Sequence, residues 1–222
     1  MSPMSTTAST RTKLRRMPAR GVFDRDAIEA ILDEALVAHV GFAHEGQPYV
    51  IPTLHARVGG EVYFHGSAAS RTIRALGAGA PACLTVTLLD GLVLARSAVH
   101  HSVNYRSVVV LGTARLVAGL EERMAAIQAF TERLIPGRWG EARPPTVKEL
   151  KAISVLALPL GEVSAKVRNG PPLDDEEDYA LDVWAGVIPL KTHAAKPQPD
   201  PRLGAGIVPS GSVRDWTPQR RA

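Results

Sequence analysis

Apolar residues recur with two different periods along the chain, and the change of period separates helical from extended segments. After Asp24, a favourable helix N-cap, apolar residues three and four positions apart predict a first helix that runs to Leu36. From His39 onward, short apolar runs alternate with glycine-containing turns, which predicts an antiparallel meander. Its strands are expected over residues 39–42, 47–56 and 61–65.

The second part of the chain continues this alternation. A short helix carrying Ile73 ends at Gly77, and Pro81 opens an extended run in which Gly91 is predicted to form a turn. The run Val108–Leu111 is apolar at successive positions, which predicts burial on both faces of its strand or a position near the barrel's closure. Further helices are expected over residues 120–134 and after Thr146, and the last strands over 153–158 and 162–168. About six to eight short strands with interposed helices predict a mainly β (α+β) barrel with a few peripheral helices.

Composition divides the chain into four parts. Residues 1–18 form a basic tail that is predicted to be flexible, and residues 19–170 contain nearly all the periodic segments. The segment 171–195 keeps a few apolar positions and is expected to pack on the main domain, whereas residues 196–222 form a tail rich in proline and glycine. Because the two tails lack periodic apolar positions, we expect both to be dispensable for ligand binding.

The composition is that of an ordinary globular protein, with 45% hydrophobic and 22% charged residues among 222. No apolar run is long enough to cross a bilayer, and the Ser- and Thr-rich start lacks the apolar core of a secretory signal, so a cytoplasmic location is expected. The single cysteine, Cys83, excludes an intramolecular disulfide, and with scattered histidines no metal site is expected.

The charge distribution argues against nucleic-acid binding despite a net charge of +4. The excess arginine and lysine residues lie in the two tails, and an acidic run over residues 174–178 separates them. Charge runs of this kind are usually solvated chain, and binding of a small phosphate-bearing ligand needs only a few local cations. Nucleic acid is therefore an unlikely partner.

Two segments carry the candidate chemistry, since the common nucleophile, phosphate-loop and zinc-binding motifs are missing from the sequence. The first, Tyr49–His55, is a strand interrupted by Pro52, which marks an edge, a bulge or a ligand-facing position. The second, Tyr63–Ile73, is a strand that ends in small residues before a helix opening with Ser, Arg and Thr, where an anion is favoured. From the residues alone, an ordinary edge strand and a plain capped helix remain equally open interpretations.

Taken in order, these segments resemble the pyridoxamine 5′-phosphate oxidase-like family, specifically its flavin-nucleotide-binding and nitroimidazole-resistance-like branch. The resemblance covers roughly residues 19–170, through "EGQPYVIPTLH", "VYFHGSAASRTIRAL" and "HHSVNYRSVVVLGTARLV", and the stretch "KVRNGPPLDDEEDYALDVWAGVIPL" is also typical of the branch. It implies an antiparallel split β-barrel that binds FMN across the interface of a homodimer.

The resemblance also implies which residues bind the cofactor. Those expected along the isoalloxazine ring are Pro52, Thr53 and Leu54. Those expected to hold the FMN phosphate are Ser67, Ser70, Arg71 and Thr72. Ser107 is expected to contact the flavin or its ribityl chain. Lys166 and Arg168 are candidates to reach the flavin near the dimer interface, with a solvated strand end as the alternative.

Two functions follow from the resemblance. In the first, the protein is an FMN-dependent oxidoreductase or flavin reductase that acts on a small molecule, and the flavin performs the electron transfer. In the second, it is a non-enzymatic flavin-binding module for redox sensing or regulation. A deazaflavin or haem in place of FMN stays open, because both occur on this barrel. Reduction of nitroimidazole drugs is not expected, because Arg71 stands where those members often carry histidine.

Overall fold

Ten strands of the computed structural model, which describes residues 9–218, form one antiparallel sheet. In chain order the strands are β1 (Gly21–Val22), β2 (Val37–His44), β3 (Gln47–Val58), β4 (Glu61–Ser67), β5 (Pro81–Leu94), β6 (Ser102–Thr113), β7 (Arg115–Leu116), β8 (Ile153–Pro159), β9 (Glu162–Arg168) and β10 (Gly186–Pro189). Their order across the sheet is β1-β9-β6-β5-β2-β3-β4-β8-β7, and β10 pairs with β5. The predicted fold class is confirmed. The strands beyond the predicted six to eight are the short β1, β7 and β10.

Five α-helices lie on the periphery of this sheet. They are α1 (Arg25–Glu34), α2 (Arg71–Gly77), α3 (Leu120–Leu134), α4 (Val147–Ala152) and α5 (Gly211–Arg214). The predicted caps are present, since the side chain of Asp24 accepts a hydrogen bond from the Ala27 amide at 2.9 Å. Thr146 and Glu149 form a reciprocal capping box at the start of α4.

The core occupies the concave side of the curled sheet. One cluster, which includes Ile28, Leu32 and Phe64, fills the barrel, and a second lies under α3 around Phe130. The prediction that Val108–Leu111 is buried on both faces is wrong for the single chain, since only the alternate residues 108 and 110 are fully buried. The other two lie half-buried on the outer face of the sheet, because an antiparallel strand points successive side chains to opposite faces.

Gly91 does not form the predicted turn. Residues 81–94 make one strand with a register irregularity between Leu89 and Gly91. The glycine is required by packing, since a Cβ at this position would lie 3.0 Å from Cγ1 of Val187 on β10. A glycine within an extended segment therefore marks close approach of a neighbouring strand here.

The ends of the described chain contact the main domain at defined points. Thr12 is buried, and Arg11 forms an ion pair with Glu162 on β9. At the other end every residue from 191 to 209 is exposed, and the hydroxyls of Ser210 and Ser212 then donate to Glu141. The parts of the predicted tails at residues 1–8 and 219–222 lie outside the described residues. No helix within 9–218 combines the length and apolar character needed to cross a membrane.

Candidate functional site

Strand β3 changes partner midway, and this switch opens a cleft in the barrel wall. Residues 47–54 of β3 pair with β2, whereas residues 55–58 pair with β4. The last residues of β4, His65–Ser67, pair with β8 and leave β3. The two strands therefore diverge between Thr53 and His65, and the gap between them is the candidate site.

The cleft has a volume of about 200 Å³ and collects half of the predicted site residues. The predicted residues that line it are Pro52, Thr53, Ser67, Ser70 and Thr72. Ser70 caps α2 by accepting a hydrogen bond from the Ile73 amide at 3.2 Å. A Cβ on Gly66 would lie 3.2 Å from Cγ1 of Ile73, so this glycine lets α2 pack closely against the end of β4. The cleft wall is thus a row of hydroxyls on one side and a proline-interrupted strand on the other.

Arg71 lies beside the cleft and does not line it. Its guanidinium stacks 4.4 Å from the centroid of the Tyr49 ring, which stacks in turn on Phe42. No carboxylate within residues 9–218 pairs with Arg71, so its charge is held near the cleft by an aromatic face alone. Rotation of the Arg71 side chain would bring its guanidinium to an anion bound in the cleft.

The remaining predicted residues lie apart from the cleft. Leu54 packs against the cluster under α3. Ser107 and Lys166 are cross-strand neighbours on β6 and β9, where the Ser107 hydroxyl donates to the Lys166 carbonyl at 3.4 Å. Arg168 is buried and donates to the Asn104 side chain and to the carbonyls of Gly170 and Pro171, so its guanidinium secures the chain after β9.

His65 was not among the predicted site residues, yet it lines the cleft. Its ring packs edge-on against Phe130, with centroids 4.9 Å apart, and burial lowers its pKa below the usual value of 6.5. The lowered pKa favours the neutral imidazole, although the residue is exposed at the surface, and no hydrogen bond to another group in the described chain occupies its nitrogens. The signal available in the sequence was its place directly before the Gly-Ser turn of the second candidate segment.

The outer face of the sheet is unusually apolar. On β2, β3, β5 and β6 it exposes Val37 (50%), Val50 (64%), Leu89 (44%) and Val103 (38%). Thr87 and Ser107 are paired on this face, and Lys166 follows on β9. Two of the predicted site residues, Ser107 and Lys166, are thus presented on this surface and not in the cleft. Within residues 9–218 no group of three or more His, Cys, Asp or Glu side chains is placed to hold a metal ion.

An antiparallel barrel that splits beside a hydroxyl-lined cleft defines a split-barrel protein. Residues 24–167 match the family model described as pyridoxamine 5′-phosphate oxidase, and the chain belongs to this family. No curated protein matches the chain.

Two solved structures are similar to the chain over almost its whole length. The flavocytochrome Anf3 from Azotobacter vinelandii is 44% identical, with 94% of this chain and 97% of that chain covered and a TM-score of 0.88. The FAD- and haem-binding protein from Mycobacterium smegmatis is 40% identical, with 90% and 98% covered and a TM-score of 0.85. A 5-nitroimidazole resistance protein from Bacteroides thetaiotaomicron, 21% identical with a TM-score of 0.57 over 66% of this chain and 86% of that chain, shares the fold.

Proposed function

We propose that this protein is a homodimeric redox protein that binds a flavin nucleotide in the cleft and a haem beside it. The observation that carries the proposal is the cleft itself, where Pro52, Thr53, Ser67, Ser70 and Thr72 converge with a neutral histidine. Two relatives at 40–44% identity that are described as a flavocytochrome and as an FAD- and haem-binding protein support the same pair of cofactors.

The donor set of the cleft fits a flavin nucleotide. A flavin presents a flat apolar ring with polar edges and a phosphate-bearing chain, and the cleft offers an apolar strand opposite several hydroxyls. Arg71 supplies the nearby charge, since a guanidinium can bind a phosphate with two parallel hydrogen bonds. When bound, the flavin supplies the electron chemistry, while these side chains orient it and exclude water.

The flavin is either FMN, as the sequence resemblance implies, or FAD. Both carry a phosphate on the ribityl chain, so the hydroxyls of Ser67, Ser70 and Thr72 serve either one. The FAD named for the relative that is 40% identical favours the dinucleotide. Denaturing the purified protein and separating the released cofactors by chromatography identifies the nucleotide, and recovery of neither FMN nor FAD contradicts the proposal.

His65 is the residue that fits an axial haem ligand. Iron is ligated by neutral imidazole, the form that the lowered pKa of His65 favours, and the ring of Phe130 packs against this side chain. The lack of a competing hydrogen bond within residues 9–218 leaves a nitrogen of the ring available to the metal. Haem is therefore proposed together with the flavin, and not in place of it.

The dimer completes a site that one chain provides only in part. The cleft of about 200 Å³ is smaller than the ~300–1,000 Å³ of typical small-molecule sites. The outer sheet face around Val37 and Leu89 is apolar, and it carries Ser107 and Lys166, which were predicted to reach the flavin. A second copy packed on this face buries the apolar surface and brings those residues to the partner's cleft. Light scattering of the flavin-loaded protein that reports a monomer at micromolar concentration contradicts this arrangement.

A further inference from the structure

A second cavity lies away from the cleft, against the middle of strand β5. It has a volume of about 280 Å³ and shares no lining residue with the cleft. The end of α1, strand β5 and helix α3 form its walls, and the C-terminal segment closes it through Thr192, Trp216 and Pro218.

Arg133 provides the cation of this cavity, and no carboxylate within residues 9–218 forms an ion pair with it. Its Nη2 donates to the Ala35 carbonyl at 2.8 Å, while its Nε is buried without a hydrogen bond. By contrast, the half-buried Arg57, Arg96 and Arg106 each pair with at least one carboxylate. Burial also lowers the pKa of Arg133, which reflects the free-energy cost of holding this charge out of water without a counter-ion.

The neighbouring carboxylates are already occupied. Both oxygens of Glu34 accept hydrogen bonds from Arg106, at 2.5 and 2.8 Å, and Asp33 is held by Arg57. Glu34 nevertheless lines the cavity, and its negative charge would repel a doubly charged anion. A ligand with a single carboxylate would neutralise the charge of Arg133 without adding a second negative charge. The rest of the lining, which includes Leu36, Leu88 and Trp216, is largely apolar.

We propose that this cavity is a binding site for a small organic monocarboxylate with an apolar body, bound through Arg133 and covered by Trp216. A guanidinium and a carboxylate form a bidentate, charge-assisted pair. The C-terminal segment serves as the lid, because it reaches the cavity through Thr192, Trp216 and Pro218 while every residue from 191 to 209 is exposed. The cavity borders the outer sheet face that is proposed to pack on a second copy, since Thr87 and Leu89 line it, and its site is additional to the proposed flavin and haem sites.

Isothermal titration of the full-length protein, with its resident cofactors, tests the proposal with benzoate as the probe. Wild type is expected to bind benzoate saturably, and to bind neither benzyl alcohol nor inorganic phosphate as tightly. Arg133→Met should weaken benzoate at least about tenfold, because it removes a charge-assisted pair and keeps the length of the side chain. Arg133→Lys, which preserves the charge, should recover part of the affinity. The matched control Arg143→Met changes an exposed arginine paired with Glu149 and should leave binding unchanged.

Three results would overturn the proposal. The first is no saturable benzoate binding to wild type, and the second is benzoate affinity that is equal in wild type and in a folded Arg133→Met or Arg133→Lys variant. The third is tighter binding of phosphate or of benzyl alcohol than of benzoate. Trp216→Ala gives an independent readout, since loss of the lid should speed benzoate release in stopped-flow mixing even where Arg133 is intact. None of these outcomes depends on whether the cleft holds a flavin.

Discussion

The two cavities of this barrel are built in opposite ways. The cleft between β3 and β4 comes from two short continuous segments, and it gathers hydroxyls, a proline and a neutral histidine without a charge in its wall. The cavity over Arg133 is assembled from α1, β5, α3 and the C-terminal segment, and it holds charges of both signs. A cofactor such as a flavin performs the electron chemistry itself, so the protein has only to position it, and the cleft is suited to that role. The second cavity is suited instead to binding a charged group. Changes in one should therefore leave the other intact.

The largest effect is expected at His65. His65→Ala should abolish haem binding and leave the flavin in place, because the imidazole is the proposed iron ligand and the hydroxyls of the cleft are unchanged. The measurement is the Soret band relative to the flavin band of the purified variant. His44→Ala, at the last residue of β2, is the matched control and should keep both bands. Full haem occupancy in His65→Ala would show that another residue ligates the iron.

Arg71 should affect flavin affinity through the phosphate. Charge-assisted hydrogen bonds contribute roughly 1.5–3 kcal/mol, so Arg71→Ala should weaken FMN about ten- to a hundredfold, and Arg71→Lys should recover only part. Fluorescence titration of the cofactor-free protein measures both. Riboflavin, which lacks the phosphate, should bind wild type and Arg71→Ala almost equally, and benzoate binding at Arg133 should not change. Unchanged FMN affinity in a folded variant would mean that Arg71 stays on Tyr49 and serves packing alone.

The pH dependence of stability should report a buried histidine that belongs to neither cavity. His55 is fully buried, with its Nε2 donating to the Leu32 carbonyl at 3.0 Å and its Nδ1 unpaired, and burial lowers its pKa. Its charged neighbours are Arg133 and Asp33. The unfolded chain takes up this proton near pH 6.5 and the folded chain does not, so folding stability is lost as pH falls below that value.

His55 alone can lower the free energy of unfolding by at most about 1.4 kcal/mol for each pH unit below 6.5. Urea unfolding of wild type and His55→Gln between pH 7.5 and 5 measures it. A slope that persists in full in His55→Gln would assign the effect to other groups. His44→Ala again serves as the control.

The smallest effect on the flavin is expected from trimming both ends. A chain that lacks the residues before Met17 and after Lys196 should bind flavin as wild type does, because no residue in the described part of either end lines the cleft. The same chain should lose benzoate binding, since Trp216 and Pro218 close the second cavity. Loss of flavin from a folded, trimmed chain would place part of the flavin site in the tails.

The difference between the cavities also explains what the sequence could predict. The strands, the caps at Asp24 and Thr146 and five cleft residues follow from local pattern and from the family resemblance. His65 was missed because a histidine on a strand has no spacing signal, and its role depends on where β4 leaves β3. Arg168 and Arg133 were beyond reach for a related reason. Arg168 donates to the Asn104 side chain and Arg133 donates to the Ala35 carbonyl, and both acceptors lie far away in the sequence.

The most direct test of the central claim is the absorption spectrum of the freshly purified protein, followed by cofactor titration if it is colourless. The account predicts a flavin band together with a Soret band, each at close to one equivalent per chain after loading with flavin and haemin. A protein that stays colourless, binds no FMN or FAD and shows no Soret shift with haemin would contradict the account.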